Sequence, residues 1–293
     1  MPDITRIGLV AKTRLDAAAD VLAELAGWLE ARGVQPVFEA DTAALVNLPA
    51  GRATASRDEI PAACDLLVVL GGDGTFIGMA GRIAEAGVDV PILGVNFGSL
   101  GFLTEITLDE LYDSLESVLA GTARIDQRMM LRSQTLRGGI VFTDRLALND
   151  VVITKGALSR IIDLSVASGE QAAMRVRADG LIIASPTGST AYNLAAGGPI
   201  VYPGLDAILL TPIAPHMLTN RPLVIPASAD VRVSPAMDGH DEIFVTFDGQ
   251  SGHALEPDDV ISVRRAERRL RVVRANRRTY FDVLREKLKW NAR

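Results

Sequence analysis

The sequence predicts an α/β domain followed by an all-β domain. Segments with strand and helix patterns alternate as far as residue 120, which is typical of a doubly wound, mostly parallel sheet. From Ala123 to about residue 276, only short apolar or alternating runs occur, separated by Gly, Pro, Asn and Asp. Helical spacing then returns at Tyr280–Trp290. We therefore predict an α/β domain at 1–124, a β-sandwich-like domain at 125–276, and a C-terminal helix within 277–293 that packs back onto the first domain.

Composition narrows the class of protein. The chain has 293 residues, of which 48% are hydrophobic, and this is enough for two ordinary domains. No apolar run approaches the roughly 18 residues that cross a bilayer. The first residues lack the basic and apolar regions of a signal peptide, and Cys64 is the only cysteine. These features predict a cytoplasmic protein that has no membrane partner.

The net charge of −6 is unevenly distributed. Residues 264–293 hold 12 Lys and Arg against 3 acidic residues, whereas the remaining residues hold 18 against 33. A basic tail can bind nucleic acid, but no nucleic-acid recognition motif accompanies this one. We expect no nucleic-acid partner, and an interface between subunits is an equal explanation for the charge pattern.

The first domain begins with a strand in 4–11 and an amphipathic helix in 15–32 that ends at Gly33. A second strand at Gln35–Glu39 is followed by a small, polar segment, Asp41–Ser56, which we expect to be irregular. The later segments share strand or helix periodicity, and they are the central strand Leu66–Leu70 with a helix to Gly87, the strand Pro91–Asn96 and the helix 107–120.

The stretch Gly71-Gly72-Asp73-Gly74-Thr75 follows the central strand and opens its helix. In an open α/β sheet, ligands bind beyond the carboxyl ends of the strands, and amides at a helix start favour anions. The three glycines allow close backbone approach to a phosphate or a positive φ. A carboxylate in a phosphate cradle repels the ligand unless it handles a proton or a metal, so Asp73 is a candidate catalytic residue. The alternative is a turn in which Asp73 merely caps the helix.

This stretch lacks the lysine of a Walker A loop, and it does not match the G-x-G-x-x-G dinucleotide fingerprint. It therefore belongs to neither of these phosphate-binding classes.

The second domain reads as a series of short strands. The predicted runs are Met129–Leu136, Ile140–Leu148, Val151–Ile153, Ile161–Val166, Ala173–Val176, Gly180–Ala184, Ile208–Thr211, Leu223–Ile225, Val231–Val233, Glu242–Phe247, Val260–Val263 and Leu270–Val273.

Three polar stretches of this domain could carry a ligand site. Asp179–Tyr192 is a short strand that runs into a loop rich in hydroxyl groups, in which Ser185, Thr187, Ser189 and Thr190 could donate to phosphate or ribose oxygens. Asp179 could accept from ribose hydroxyls, and the ring of Tyr192 could stack on a base. The other two are Asn149-Asp150 before a β-branched run, and Phe247-Asp248-Gly249-Gln250, most simply a tight turn.

Each of these three stretches also has an ordinary structural explanation, namely a solvated loop, an Asx turn and a hairpin turn. His216, His240 and His253 lie far apart in the sequence and show no metal-ligand spacing, so we predict no metal ligands among the protein's residues.

In order and spacing, these stretches resemble the NAD kinases, which use ATP or polyphosphate to phosphorylate the 2′-hydroxyl of NAD⁺. The resemblance covers essentially the whole chain, and the S-P-T-G-S-T-A-Y loop is its most specific part. It implies NAD⁺ as substrate, a divalent cation, usually Mg²⁺, and a homo-oligomer, either a dimer or a tetramer.

The resemblance also implies roles for single residues. Asp73 matches the catalytic base, and its neighbours Gly71, Gly72, Gly74 and Thr75 complete the motif. Asn149 and Asp150 match a pair that holds NAD, although the family more often has Asn-Glu there. The further positions that match dinucleotide contacts are Arg160, Arg177, Asp179, Thr190, Ala191, Tyr192, Asn193, Leu194, Ala195 and Gln250.

Two other functions remain open from the sequence. The G-G-D-G-T element is shared with diacylglycerol-type lipid kinases, although this chain has no obvious membrane-docking helix. A non-catalytic dinucleotide sensor could use the same pocket without turnover.

Overall fold

The computed structural model describes all residues except 1–3, 16, 47–50, 99, 157–158, 218, 238–241, 276 and 291–293. The chain divides into two units, Met1–Gln127 with Leu270–Arg293, and Arg128–Arg269. The elements that precede the division are β1 (Arg6–Ala11), α1 (Ala18–Glu30), β2 (Gln35–Glu39), α2 (Ala40–Leu45), β3 (Thr54–Ala55), α3 (Ile60–Ala63), β4 (Leu66–Gly71), α4 (Asp73–Glu85), β5 (Ile92–Asn96), α5 (Leu111–Leu119) and β6 (Ile125–Arg128).

The second unit is built almost entirely from strands. They are β7 (Leu131–Arg137), β8 (Ile140–Ala147), β9 (Asp150–Lys155), β10 (Ile162–Ser168), β11 (Gln171–Ala178), β12 (Gly180–Ala184), β13 (Ala207–Ile213), β14 (Leu223–Pro226), β15 (Val231–Ala236), β16 (Ile243–Phe247), β17 (Ser251–Ala254) and β18 (Val260–Arg265). A 3₁₀ turn at Thr187–Thr190 and the short helix α6 (Tyr192–Ala195) follow β12.

The chain then returns to the first unit with β19 (Leu270–Val273) and α7 (Tyr280–Leu288). The first unit's sheet has the order β3-β2-β1-β4-β5-β19-β6, and its pairs from β3 to β19 are parallel. Helices cover both faces. Leu22 of α1 and Leu115 of α5 share one core cluster with Leu66 and Val68, whereas Phe76 of α4 packs beside Gly94 on the other face. This arrangement confirms the predicted doubly wound α/β fold.

The second unit is a sandwich of two six-stranded antiparallel sheets, ordered β11-β10-β15-β18-β7-β8 and β14-β13-β12-β9-β16-β17. One core cluster contains residues of both sheets, such as Leu131 and Val263 from the first and Val151 and Leu181 from the second. A smaller cluster on the opposite face of the second sheet joins Val152 and Ile182 to Val201. The β-sandwich-like prediction is therefore confirmed.

Two details of the sequence prediction were wrong. Residues 270–276 were assigned to the β domain, yet β19 pairs with β5 and Val273 lies in the first unit's core. The segment 41–56 is expected to be irregular, yet it contains most of α2 (Ala40–Leu45) and the short strand β3. Glu39 caps the first turn of α2 by accepting from Thr42 N at 2.9 Å. Of the described helices, none has the length and apolar character needed to cross a membrane.

Candidate active site

Asp73 lies near the point where the order of the strands in the first unit's sheet reverses. The strand order places β2 on one side of β1 and β4 on the other, so this topological switch point lies between β1 and β4. The chain leaves β4 through Gly71, passes an extended Gly72 with φ −110° and ψ −178°, and enters α4 at Asp73. The first amides of a 13-residue helix therefore lie at the carboxyl edge of the sheet, where anions are favoured.

The Asp73 carboxylate is held by the turn that follows β5. Oδ1 accepts from Leu103 N at 3.1 Å, Thr104 N at 3.0 Å and Thr104 Oγ1 at 2.9 Å. Among the described residues, Oδ2 accepts one hydrogen bond, from Phe102 N at 2.9 Å. The helix-cap explanation for Asp73 is wrong, since Gly72 is the cap residue and no side chain caps this helix. The main chain of a neighbouring strand end fixes the orientation of the carboxylate instead.

The glycines around Asp73 serve different purposes. A Cβ at Gly71 would lie 3.1 Å from both Lys12 Cβ and Thr75 Oγ1, so packing favours glycine there. A Cβ at Gly72 or Gly74 would meet none of the described atoms within 4 Å, and neither residue has a positive φ. Neither protein packing nor a positive φ accounts for glycine at 72 and 74. Close approach of a ligand to the backbone would account for it.

The Asn149-Asp150 loop of the second unit is held from two sides. The Asp248 carboxylate accepts from the backbone amides of Leu148 at 2.7 Å, Asn149 at 2.7 Å and Asp150 at 3.0 Å. On the other side, Ser185 N donates to Asn149 O at 2.8 Å, and the Ser185 hydroxyl donates to Leu148 O. The main chain of this loop is therefore fixed by side chains from two distant parts of the sequence.

Asp150, which is buried, and Asp248, which is partly buried, form an acidic pair. Asp150 is 5% exposed, and burial together with the charge of Asp248 raises the pKa of Asp150 to about 7. Burial also raises the pKa of Asp248, although the three backbone amides that donate to it act in the opposite direction. A group that gains its charge near neutral pH therefore lies beside Asn149.

Several hydroxyl and amide side chains of the 185–193 loop are occupied within the protein. Ser185 and Ser189 are fully buried and bond to backbone groups of 148, 186, 188 and 201. Both ends of the Asn193 amide are also used, by Ser189 O, Pro199 O and Thr211 Oγ1. Thr187 differs, because it is 6% exposed and its Oγ1 has no hydrogen-bond partner among the described residues. Only Thr187 of this buried group retains a hydroxyl that could serve a ligand.

Other predicted contact residues of the second unit are accessible. Tyr192 is 46% exposed, and the side chain of Arg177 is 61% exposed. Asp179 lies 3.7 Å from Lys155 Nζ. The remaining accessible or partly accessible predicted residues are Arg160, Thr190, Ala191, Leu194, Ala195 and Gln250. His240 lies outside the described residues.

Sequence reasoning missed two contributors. The turn Gly101–Thr104 supplies the amides for Asp73, and Asp248 supplies the acceptor for the Asn149 loop. The first had a usable signal, because it follows β5 and therefore ends at the same edge of the sheet as Gly71. The sequence places Asp248 in a candidate ligand stretch that is most simply a tight turn. The turn is present, with Asp248 at φ 51° and Gly249 at φ 63°, but nothing local in the sequence indicates its distant partners.

The described residues contain no cluster of three His, Cys, Asp or Glu side chains that could hold a metal ion. A resident all-protein metal site does not fit this donor set. Mg²⁺ characteristically keeps several waters and binds through substrate phosphates with one or two carboxylates. A magnesium ion carried by ATP is compatible with such a site.

Comparison with known proteins gives the family. Residues 7–123 match the model for the ATP-NAD kinase N-terminal domain, and residues 148–275 match that for the C-terminal domain. An NAD kinase from Geotalea daltonii is 47% identical over 98% of this chain and 99% of its own length. One from Geobacter metallireducens is 48% identical with the same coverage.

Solved structures agree with this result. Yeast NADH kinase complexed with NADH has a TM-score of 0.90 and 26% identity, covering 100% of this chain and 90% of that one. The NAD kinase from Archaeoglobus fulgidus in complex with ATP shares the fold, with a TM-score of 0.73 and 23% identity over 96% of this chain and 99% of that one. With both domain models matched in order and relatives at nearly half identity along the whole chain, this protein belongs to the NAD kinase family.

Proposed function

We propose that this protein transfers the γ-phosphoryl group of ATP to the 2′-hydroxyl of the adenosine ribose of NAD⁺, giving NADP⁺ and ADP, with Asp73 as the base. The observation that carries the proposal is the carboxylate of Asp73, fixed by four hydrogen bonds at the start of α4 and at the switch point of the sheet. Phosphoryl transfer requires positioning, charge neutralisation and a base beside the acceptor hydroxyl.

The hydrogen bonds of Asp73 suggest which oxygen acts. A carboxylate offers about four lone-pair positions, two on each oxygen. Oδ1 already accepts three hydrogen bonds, whereas Oδ2 accepts one. We assign Oδ2 as the atom that takes the proton of the 2′-hydroxyl. The ribose oxygen then forms a bond to the γ-phosphorus, and the bond from that phosphorus to the β,γ-bridging oxygen breaks.

We assign dinucleotide binding to the second unit. Asn149 and Asp150 offer an amide and a carboxylate from a fixed loop, and Thr187 offers a buried hydroxyl. Arg160, Arg177, Asp179, Thr190, Ala191, Tyr192, Leu194, Ala195 and Gln250 are accessible or partly accessible and complete the set. Ser185 and Asn193 stabilise this surface and do not contact the ligand, because their side chains are hydrogen-bonded within the protein. The structural resemblance to an NADH-bound kinase supports this assignment.

The amides at the start of α4, together with Gly71, Gly72, Gly74 and Thr75, are suited to the phosphates of ATP. A magnesium ion supplied with ATP would neutralise charge on the transferred phosphates. Polyphosphate is the alternative donor. We further propose a cytoplasmic homo-oligomer, and the exposed apolar side chains of Tyr202, Leu205 and Val224 in the second unit suit a subunit interface. Light scattering tests the oligomeric state.

The experiment that tests the proposed function compares wild type, Asp73→Asn and Asp20→Asn. Asp20 is an exposed acid in the first turn of α1, so its substitution repeats the chemical change away from the site. Each protein is assayed with Mg²⁺, ATP or polyphosphate, and NAD⁺, and NADP⁺ is detected with an NADP-specific dehydrogenase. We expect kcat of Asp73→Asn to fall by about 10²–10⁴-fold, because a general base contributes roughly that factor.

Asp73→Asn should still bind NAD⁺, and the free energy of unfolding of this variant should fall by only about 1 kcal/mol. The substitution replaces Oδ2, which accepts one hydrogen bond, with an amino group. An unchanged rate in Asp73→Asn would remove this residue from the mechanism. Wild type that binds NAD⁺ yet forms no NADP⁺ with either donor would instead favour the sensor function. The family assignment does not favour the lipid kinase.

A further inference from the structure

The Asp248 carboxylate is aimed at the main chain of Leu148–Asp150 and not at another side chain. It accepts three consecutive amides, and its own amide donates to Asp150 O at 2.9 Å. Three amides on one carboxylate form a set of charge-assisted hydrogen bonds, which are stronger than neutral ones. These contacts are made across about 100 residues of sequence, so they arise only in the folded second unit.

The opposite side of the same loop is closed. A Cβ on Gly188 would lie 2.1 Å from Asn149 O, so the 185–188 segment contacts the loop directly. Ser185 takes up the carbonyl groups of Leu148 and Asn149, while Asp248 takes up the amides. Because both its amides and its carbonyl groups are hydrogen-bonded, the main chain of Leu148–Asp150 is held in one conformation, which sets the directions of the Asn149 and Asp150 side chains.

A carboxylate at 248 has an electrostatic cost. Asp248 and Asp150 repel one another, and this repulsion helps raise the pKa of Asp150 to about 7. The turn itself needs no charge, because a residue at φ 51° can be Asn as readily as Asp. The charge of Asp248 is therefore explained by the three amides that it holds.

We propose that Asp248 is a positioning residue, which fixes the backbone of Leu148–Asp150 so that Asn149 and Asp150 bind the dinucleotide. The inference rests on the proposed function for the meaning of that binding. The hydrogen bonds on which it depends are a property of the second unit alone.

Few titratable side chains lie on the segments that flank Asp150 and Asp248. The strands β12 and β16, which flank β9, contain no titratable side chain, and the 185–195 segment contributes only Tyr192. Lys155, on β9 itself, pairs with Asp179. Of the described residues, none places a cation within ion-pair distance of Asp150 or Asp248. Asp248 is thus the acid whose charge helps raise the pKa of Asp150, and replacing it should change the pH dependence of NAD⁺ binding.

The first measurement is hydrogen exchange in the free, full-length protein. Asp248→Asn keeps the turn conformation, but its side chain offers one acceptor oxygen and directs an amino group at the amides. Asp258→Asn is the matched control, because Asp258 is exposed and also has a positive φ of 67°. We expect the amides of Leu148 and Asn149 to exchange at least about tenfold faster in Asp248→Asn, and at the wild-type rate in Asp258→Asn.

The second measurement is the dissociation constant for NAD⁺ as a function of pH, by calorimetry. In wild type, binding should weaken as pH falls through the raised pKa of Asp150, since protonation removes the acceptor. In Asp248→Asn, binding at high pH should weaken by about tenfold, while the acid limb moves to lower pH by about one unit. Asp150→Asn should abolish the limb, which identifies the titrating group. A variant that was merely less stable would not move the limb, so the shift reports the loss of the Asp248 charge beside Asp150, and the weaker binding at high pH reports the loss of positioning.

Unchanged exchange of the Leu148 and Asn149 amides would overturn the proposal whatever happens to activity. An acid limb that stays at the wild-type pH in Asp248→Asn would also overturn it. If Asp248→Asn shows both changes but wild type makes no NADP⁺, the proposed function is refuted and the role of Asp248 stands. Failure of wild type to bind NAD⁺ at any pH would refute both.

Discussion

Gly101 determines how closely Asp73 can approach the turn that holds it. A Cβ at this position would lie 2.1 Å from Asp73 Oδ1 and 2.3 Å from Thr104 Oγ1. Gly101 does not have a positive φ, so its backbone would accept alanine. The requirement for glycine comes from the carboxylate itself, which occupies the space that a side chain would need.

We predict that Gly101→Ala lowers kcat far more than it weakens NAD⁺ binding. The added methyl group displaces Asp73 from its amides, and a displacement of about 1 Å can cost about 100-fold in rate. Overpacking should also cost about 1–3 kcal/mol in the free energy of unfolding. Steady-state kinetics with calorimetric NAD⁺ binding separate the two effects.

Gly81→Ala is the matched control for this prediction. It lies in α4, where a Cβ would meet none of the described atoms within 4 Å, so alanine should stabilise the helix by about 0.5–1 kcal/mol. Its turnover should stay at the wild-type level. If Gly101→Ala also kept the wild-type kcat, the turn would not control the position of Asp73.

At the scale of elements, the C-terminal segment stabilises the Gly101–Thr104 turn. Arg274 is 7% exposed and pairs with Glu105, which is 3% exposed, and its Nη1 lies 2.7 Å from Asp126. Glu105 follows Thr104 directly and also accepts from Ala275 N at 2.9 Å. Arg278 then donates to Glu105 O and to the Glu110 carboxylate, both at 2.8 Å. The residues after β19 therefore anchor the segment that presents amides to Asp73.

We predict that Arg274→Ala lowers the free energy of unfolding by about 3–5 kcal/mol, because it leaves the buried Glu105 charge without its partner. The double variant Glu105→Gln with Arg274→Met should recover part of this loss, since the buried charge at 105 is removed and Asp126, which also loses Arg274, is partly exposed. Urea denaturation measures both values. Arg277→Ala is the control, because Arg277 and Asp113 are 74% and 64% exposed and such pairs contribute about 0–1 kcal/mol. Equal effects at 274 and 277 would show that burial does not govern the pair.

At the scale of the whole molecule, the first unit is discontinuous in sequence. Its sheet receives β19 between β5 and β6, and Val273 and Ala275 join its core after the chain has built the second unit. The second unit, in contrast, is formed by one continuous segment, 128–269. The two units therefore depend differently on the end of the chain.

We predict that truncation after Arg269 unfolds the first unit and leaves the second folded. The truncation removes β19, which lies between β5 and the edge strand β6, and leaves Glu105 without Arg274. Hydrogen exchange should show loss of protection in β4 but not in β12. Truncation after Leu288 keeps β19 and α7, and the amides of β4 and β12 should then both stay protected from exchange. Continued protection of β4 after truncation at Arg269 would contradict the prediction.

The basic C-terminal region is also explained at this scale. Within the first unit, Arg271 pairs with Asp89, and Arg277 with Asp113. Within the second, Arg265 and Arg269 both pair with Asp206. These basic residues therefore form ion pairs with acids of their own chain.

The fold classes, most of the strands and the motif residues could be predicted from the sequence alone. These follow from local periodicity and glycine placement, as in Gly180–Ala184, where the predicted and observed strands coincide. Even Leu270–Val273 was recognised as a strand, but its sheet was assigned wrongly because pairing is a long-range property.

The way in which the motif residues are used depends on tertiary contacts. Ser185 and Asn193 have side chains as polar as that of Thr187, yet their hydrogen bonds are satisfied internally and that of Thr187 Oγ1 is not. Asp73 and Asp248 are both carboxylates near glycine, and each is oriented by amides from a remote turn or strand end. Such roles depend on which backbone groups face each carboxylate after folding. Local sequence sets the residue type and the turn, but it does not specify those partners.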